Sequence, residues 1–210
     1  EDWRKLPLIT IDPADAKDHD DAVHAALDDD PANEGGFVVT VAIADVAHYV
    51  RPHSILDKEA RLRGNSVYFP DRVIPMLPER LSTELCSLHE NEDRPALAIR
   101  MVFSADGSKR KHSLHRVWIR LHAGLAYQAA QAAIDGKETP EGITPCPPQI
   151  TETVLKPLWA AYHALHAARE RRAPLHLDLP ERKLVLDDAG KVTGVHVPER
   201  LDAHKLIEEF

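Results

Sequence analysis

Apolar positions along the chain switch between a period of two and a period near 3.6. Leu6-Pro-Leu-Ile-Thr-Ile11 is a short apolar run between a charged start and an Asp-rich stretch, which suits a buried strand. Residues 22–27 and the β-branched run Phe37-Val-Val-Thr-Val-Ala-Ile-Ala44, which follows Gly35-Gly36, predict central strands of the same sheet. They would be joined through the Asp-rich loop and a turn over 28–36, with Val41, Ile43 and Val46 in the core. Residues 96–103 and 110–121 flank Ala105-Asp-Gly-Ser108 and read as a hairpin, in which Val117, Ile119 and Leu121 alternate with Trp118, Arg120 and His122.

Helical spacing governs other segments. Ser54 followed by Asp57 resembles a capping box that opens a helix ending at Gly64, and a short helix is expected from Glu79 or Ser82 to Leu88. Residues 125–134 are Ala-rich and close at Gly136. Val154, Leu158, Tyr162 and Leu165 predict a long helix over 150–172, kinked or started late by Pro157. Pro70, Pro75 and Pro78 predict that residues 66–79 are extended and ordered by packing rather than by a ladder, and four prolines make 139–148 a loop. Short strands are expected over 175–179, 183–186 and 192–197. With hairpins outnumbering βαβ units, the fold class is α+β, a mixed and mostly antiparallel sheet with packed helices.

Composition narrows the function classes. The chain has 210 residues, 43% of them apolar, enough for a real core. No apolar run approaches the roughly 20 residues of a membrane span and no apolar leader opens the chain, so the expectation is a soluble, cytoplasmic protein with no membrane partner. Cys86 and Cys146 stand sixty positions apart, which leaves no zinc knuckle or disulfide framework. A formal charge of −8 counts against a stand-alone nucleic-acid binder. Glu1 at one end, and at the other a helix starting at Asp202 as N-cap and running through Leu206, Ile207 and Phe210 without a stop signal, predict a fragment of a longer chain.

Asp12, Asp15, Asp18, Asp20 and Asp21 place five carboxylates in ten residues beside the single cation Lys17. Two carboxylates about 4 Å apart repel by roughly 4 kcal/mol at an effective dielectric near 20, so their convergence calls for a counter-charge. A hard divalent cation such as Mg²⁺ supplies it, with Asp12 at the end of an apolar strand and further ligands returning from Asp18 to Asp21. Asp15, beside Lys17, is the one expected to stay solvated. An acidic turn that only confers solubility is the competing reading, and it is the one given to residues 28–30. An EF-hand fails: counted from Asp18, position 6 is Val23 where the turn needs Gly, and position 12 is Asp29 rather than Glu. His19-Asp20 with His163 and His166 could belong to an HD-type phosphohydrolase, but an isolated i, i+3 pair is thin support.

Six segments then match one family in order: Leu6-Pro-Leu-Ile-Thr-Ile-Asp12, Asp18-His-Asp-Asp-Ala22, Val41-Ala-Ile-Ala-Asp-Val46 with His48-Tyr-Val50, Ser66-Val-Tyr-Phe-Pro70, Ile74-Pro-Met-Leu-Pro78 and Leu85-Cys-Ser-Leu88. The chain resembles the catalytic (RNB) domain of the RNase II/RNase R family of 3′-to-5′ exoribonucleases, its N-terminal part, with the RNase R branch slightly favoured. The resemblance implies Mg²⁺-dependent hydrolysis of single-stranded RNA from its 3′ end to nucleoside 5′-monophosphates, by a protein that is a monomer at full length. It assigns Asp12, Asp18, Asp20 and Asp21 to the active site as metal ligands, Asp20 as the least replaceable, and Tyr68 to stacking on an RNA base. Read without the family, Tyr68 is an ordinary core aromatic. Asp45, His48 and Arg51 are left to scaffolding or RNA contact.

Two departures qualify the match. The position of His19 is more often apolar in the family. The family's active-site arginine and later glutamate, and its flanking cold-shock and S1 domains, have no counterpart in these residues, so the fragment alone is expected to be weak or inactive. The alternative is a non-catalytic RNA-binding or regulatory module with the same fold. Arg61 and Arg63, Lys109-Arg-Lys111 and Arg169 to Arg172 are candidate phosphate contacts, each more often a solvated face.

Overall fold

A computed structural model describes residues 1–175 and 182–210, so the strand expected over 175–179 falls almost entirely outside the described residues. Six strands build the main sheet: β1 (Ile9–Asp12), β2 (Asp21–Leu27), β3 (Phe37–Ala44), β6 (Asp93–Phe103), β7 (Lys109–Arg120) and β8 (Ala123–Ala126). Their order is β7-β6-β3-β2-β1-β8, antiparallel throughout except for the parallel pair β1 and β8. Two further two-stranded ladders are β4 (Val67–Tyr68) with β5 (Val73–Ile74), and β9 (Lys183–Leu186) with β10 (Val192–His196). The mostly antiparallel α+β class is therefore observed.

Alternation along the strands gives the sheet two apolar faces. Ile9, Ile11, Val23, Ala25, Phe37, Val39 and Phe103 pack on one side with Leu158, Trp159, Tyr162 and Leu165 of α5 (Lys156–Glu170) and Leu206 of α6 (Asp202–Glu209). On the other, Leu8, Ala22, Ala42, Ala96, Ala98, Val117 and Ile119 pack with Leu81, Cys86 and Leu88. Fully burying each large apolar side chain contributes about 1.5–3 kcal/mol, so these two layers dominate the fold's stability. Ile43 departs from its expected place in the core: it is 43% exposed, because it lies beyond the stretch of β3 that reaches the helical layer. No described helix is long and apolar enough to cross a membrane.

Several boundaries differ from expectation for identifiable reasons. Helix α3 (Tyr127–Asp135) ends at Gly136 in the left-handed region, as expected, but starts two residues late because Leu125 and Ala126 pair with Ile11 and Asp12 as part of β8. Residues 66–79 do form a ladder, Val67 with Ile74 and Tyr68 with Val73, since the prolines fall outside the four paired positions. Between the short α4 (Pro148–Ile150) and α5, residues Thr151–Leu155 are π-helical. Pro157 has no N–H and its ring crowds the carbonyl four residues back, and the wider turn accommodates it. Arg80–Leu85 is likewise π-helical, ending before Leu88. Helix α2 (Ile55–Arg63) starts as expected, with Ser54 Oγ accepting from the Asp57 N–H at 3.2 Å. Asp202 is the first helical residue of α6 rather than its cap; there His204 Nδ1 accepts the Leu201 N–H at 3.1 Å.

Candidate functional site

Two neighbouring strand ends create the acidic site. Asp12 closes β1 and Asp21 opens β2, and the loop 13–20 between them carries Asp15, Asp18 and Asp20. That loop is pinned to its surroundings through main-chain atoms. The Ala44 N–H donates to the Asp20 carbonyl at 2.8 Å and the Leu88 N–H to the His19 carbonyl at 2.8 Å. Ser87 Oγ accepts from the His19 N–H at 3.0 Å and donates to the Lys17 carbonyl at 3.2 Å. The motif Leu85-Cys-Ser-Leu88 thus supports the motif Asp18-His-Asp-Asp from beneath. Asp15, Asp18 and Asp20 are exposed at the surface, Asp20 with its carboxylate set among the loop and strand ends, and Asp12 and Asp21 are half-buried.

The carboxylates also lie close enough for their charges to act on one another. Burial raises the proton affinity of Asp20 above the ordinary carboxylate range, and the charges of Asp18 and Asp12 raise it further. Asp21 shifts the same way, first from burial and then from Asp12 and Asp20. His19 Nδ1 lies 2.7 Å from Asp12 Oδ2, and this hydrogen bond holds the imidazole above its usual value. Tyr127, at the start of α3, is pushed up to about 12 by burial and by the charges of Asp12 and Asp21. Its ring stacks on His204 with centroids 3.9 Å apart.

A cleft of about 340 Å³ opens beside Asp12 and His19, lined also by Thr10, His89, Glu90 and Gly124. Thr10 Oγ1 is buried there without a hydrogen-bond partner. Asp18, Asp20 and Asp21 lie outside that lining. Among the described residues, no three His, Cys, Asp or Glu side chains close tightly enough to hold an ion unaided. In kind, the donors fit a hard divalent cation: all are carboxylates, and Asp20 and Asp21, raised first by burial and then by their carboxylate neighbours, are groups whose ionised form a nearby cation would favour. A small octahedral cation that keeps several waters, or takes substrate phosphate oxygens, needs only some of its ligands from protein.

Tyr68 is 69% exposed on the β4–β5 hairpin, so it is no core aromatic. Asp45 pairs with Arg116 at 2.5 Å, which ties it into the scaffold, and the exposed His48 lies edge-on to Trp118 with centroids 5.7 Å apart. Residues 28–33 do more than solvate: Asp30 caps a short 3₁₀ turn, Pro31–Asn33, and Asp28 accepts from Asn33 Nδ2 at 2.8 Å. His163 is exposed on α5 and His166 faces Glu209 at 3.6 Å. Arg61, Arg63 and Arg169 are engaged by Asp57, Glu59 and Glu209, whereas Lys109 and Lys111 stand exposed on β7. The His19–Asp12 pair, Tyr127 and the Ser87 bridge escaped the sequence reading. Only the parallel register of β1 with β8 and the packing of 86–88 under the loop bring them to the aspartates.

Comparison with known proteins gives the family. A family model for the RNB domain matches residues 1–210. The ribonuclease R of Vibrio parahaemolyticus is 41% identical over 209 residues, covering 99% of this chain and 24% of the relative. The structure of Mycoplasma genitalium RNase R in complex with ribose methylated single-stranded RNA superposes with a TM-score of 0.89 at 29% identity, covering 100% of this chain and 31% of that one. The same enzyme in complex with double-stranded RNA gives 0.89 at 29%, covering 100% and 35%. The chain thus spans about a quarter to a third of the length of the relatives it matches.

Proposed function

Because the chain belongs to the RNB domain family, we propose that it supplies the aspartate half of the active site of a hydrolytic 3′-to-5′ exoribonuclease acting on single-stranded RNA. The observation that carries this reading is the set of mutually repelling carboxylates, Asp12, Asp18, Asp20 and Asp21, held at adjacent strand ends by main-chain hydrogen bonds. A fold with no use for them would be more stable without that repulsion. The share of the relatives' length that is covered supports a division of labour, in which residues from elsewhere in the parent protein complete the site.

The roles are those the family resemblance assigns, and the geometry supports them in part. Asp12, Asp18, Asp20 and Asp21 would hold Mg²⁺, which when bound supplies Lewis-acid charge on the phosphoryl oxygens and eases deprotonation of the attacking water. The carboxylates must be ionised to bind it, so the raised proton affinities of Asp20 and Asp21 make metal and proton compete. His19 orients Asp12 by its 2.7 Å hydrogen bond. Tyr68, exposed on its hairpin, offers a ring on which any base can stack, the sequence-tolerant contact a stepwise degrader needs.

The test uses the full-length protein that carries this chain, single-stranded RNA and Mg²⁺. Asp20→Asn is expected to lower mononucleotide release by more than about 100-fold, beyond the range for outer-shell changes, with RNA binding kept. Equal release by Asp20→Asn and wild type would end the catalytic assignment and leave a non-catalytic RNA-binding module.

A further inference from the structure

We propose that Ser87 is a positioning residue for the aspartate loop, setting where Asp18 and Asp20 stand relative to Asp12. The inference rests on the reading of these aspartates as Mg²⁺ ligands.

Ser87 is fully buried, and its one hydroxyl makes two hydrogen bonds to the main chain of the loop: it accepts from the His19 N–H and donates to the Lys17 carbonyl. These two groups flank Asp18. A single oxygen therefore fixes the main chain on both sides of one proposed ligand and immediately before another, Asp20. The next hydrogen bonds, Leu88 N–H to the His19 carbonyl and Ala44 N–H to the Asp20 carbonyl, continue the same seam.

The main chain of Ser87 is itself anchored. Arg94 Nε donates to the Ser87 carbonyl at 3.0 Å, while its other nitrogens reach the carbonyls of Glu84 at 3.0 Å and Asp93 at 3.2 Å. Arg94 comes from β6, which is paired on both sides, with β7 and with β3, so the seat of Ser87 is tied to the sheet. A hydroxyl is suited to this post because it donates and accepts from one small atom. Alanine there leaves the Lys17 carbonyl and the His19 N–H to find water, which they can do only by lifting the loop.

The consequence falls on the metal. Mg²⁺ demands near-ideal octahedral geometry, so ligands that drift with their main chain bind it poorly. Loss of an outer-shell partner typically costs about 10–100-fold in metal affinity or activity. The expected signature of Ser87→Ala is a rise of that size in the Mg²⁺ dissociation constant, a matching fall in kcat at limiting Mg²⁺, and an unchanged KM for RNA.

The experiment titrates Mg²⁺ alone, by calorimetry, into the full-length protein and follows hydrolysis separately. Val117→Ala, in the same apolar layer but away from the loop, controls for simple destabilisation and is expected to bind Mg²⁺ like wild type. Ser87→Cys has nearly the same shape with a weak donor and acceptor; it is expected to repeat the Ser87→Ala shift and stands in if alanine does not fold. In the wild type the His19 amide is expected to exchange slowly with solvent. Wild-type Mg²⁺ affinity in both Ser87 variants, an equal loss in Val117→Ala, or a His19 amide that exchanges as fast as a free loop would each overturn the inference. If Asp20→Asn binds Mg²⁺ as well as wild type, the ligand assignment fails instead.

Discussion

His24 and His19 sit five residues apart and titrate in opposite senses. His24, buried on β2 and facing the charge of His122, has its proton affinity lowered from the ordinary value of 6.5. Below that value the unfolded chain binds protons that folded His24 refuses, so stability falls as pH drops from 6.5 through the lowered value. His19 is raised by its hydrogen bond to Asp12, so its contribution is complete below 6.5 and is lost as pH rises through the raised value. The two windows do not overlap. In the metal-free chain, His24→Gln is therefore expected to make the urea midpoint fall less steeply as pH drops below 6.5 while leaving the alkaline side. A midpoint in His24→Gln that falls as steeply as wild type between pH 6.5 and 5 would refute this. At this scale the sequence was informative about which residue types matter but not about partners: nothing in the spacing of residues 12 and 19 says that the imidazole lies on the carboxylate.

Among the elements, the β4–β5 hairpin shows most clearly how exposure argues for function. Val67, Tyr68, Phe69, Val73 and Ile74 are each more than 40% exposed, and Arg72 covers the Phe69 ring at 5.0 Å. Removing an exposed ring costs little stability, within about 0.5 kcal/mol, whereas loss of a base–aromatic stack costs roughly 1–3 kcal/mol. Tyr68→Ala in the full-length protein is accordingly expected to weaken single-stranded RNA binding by about 5- to 150-fold, with its melting temperature unchanged. A large loss of melting temperature with unaltered RNA affinity would return Tyr68 to a structural role. The strands and most helices were legible because alternation and caps are local signals. Pro157 announced the interruption before α5 but not its π-helical form, and the late start of α3 was not legible at all, because it answers to pairing with β1, a contact that periodicity does not carry. Gly107 makes the same point: at φ +81 it turns the β6–β7 hairpin, and a Cβ there would lie 2.1 Å from the Ala164 carbonyl of α5.

For the whole molecule the charge of −8 takes on a different meaning once four of the negative charges are proposed ligands. A bound divalent cation offsets part of the excess where it is most concentrated. Mg²⁺ at 100 times its dissociation constant is expected to stabilise the protein by about 2.7 kcal/mol, read as a rise in urea midpoint that EDTA reverses and NaCl of equal ionic strength does not reproduce. No rise, or an equal rise with NaCl, would mean that the loop is merely acidic. The strands, most of the helices, the mostly antiparallel α+β class and the identity of the acidic segment could be read from the sequence, because each depends on residues close together along the chain; the order of the strands, which sets residues 9–12 beside 123–126, could not. How the loop is held belongs to the tertiary structure. Ser87 and Leu88 lie some seventy residues from Lys17 and His19, Tyr127 more than a hundred from Asp12, and hydrogen bonds and charges act across space over a few ångströms, whatever the separation along the chain.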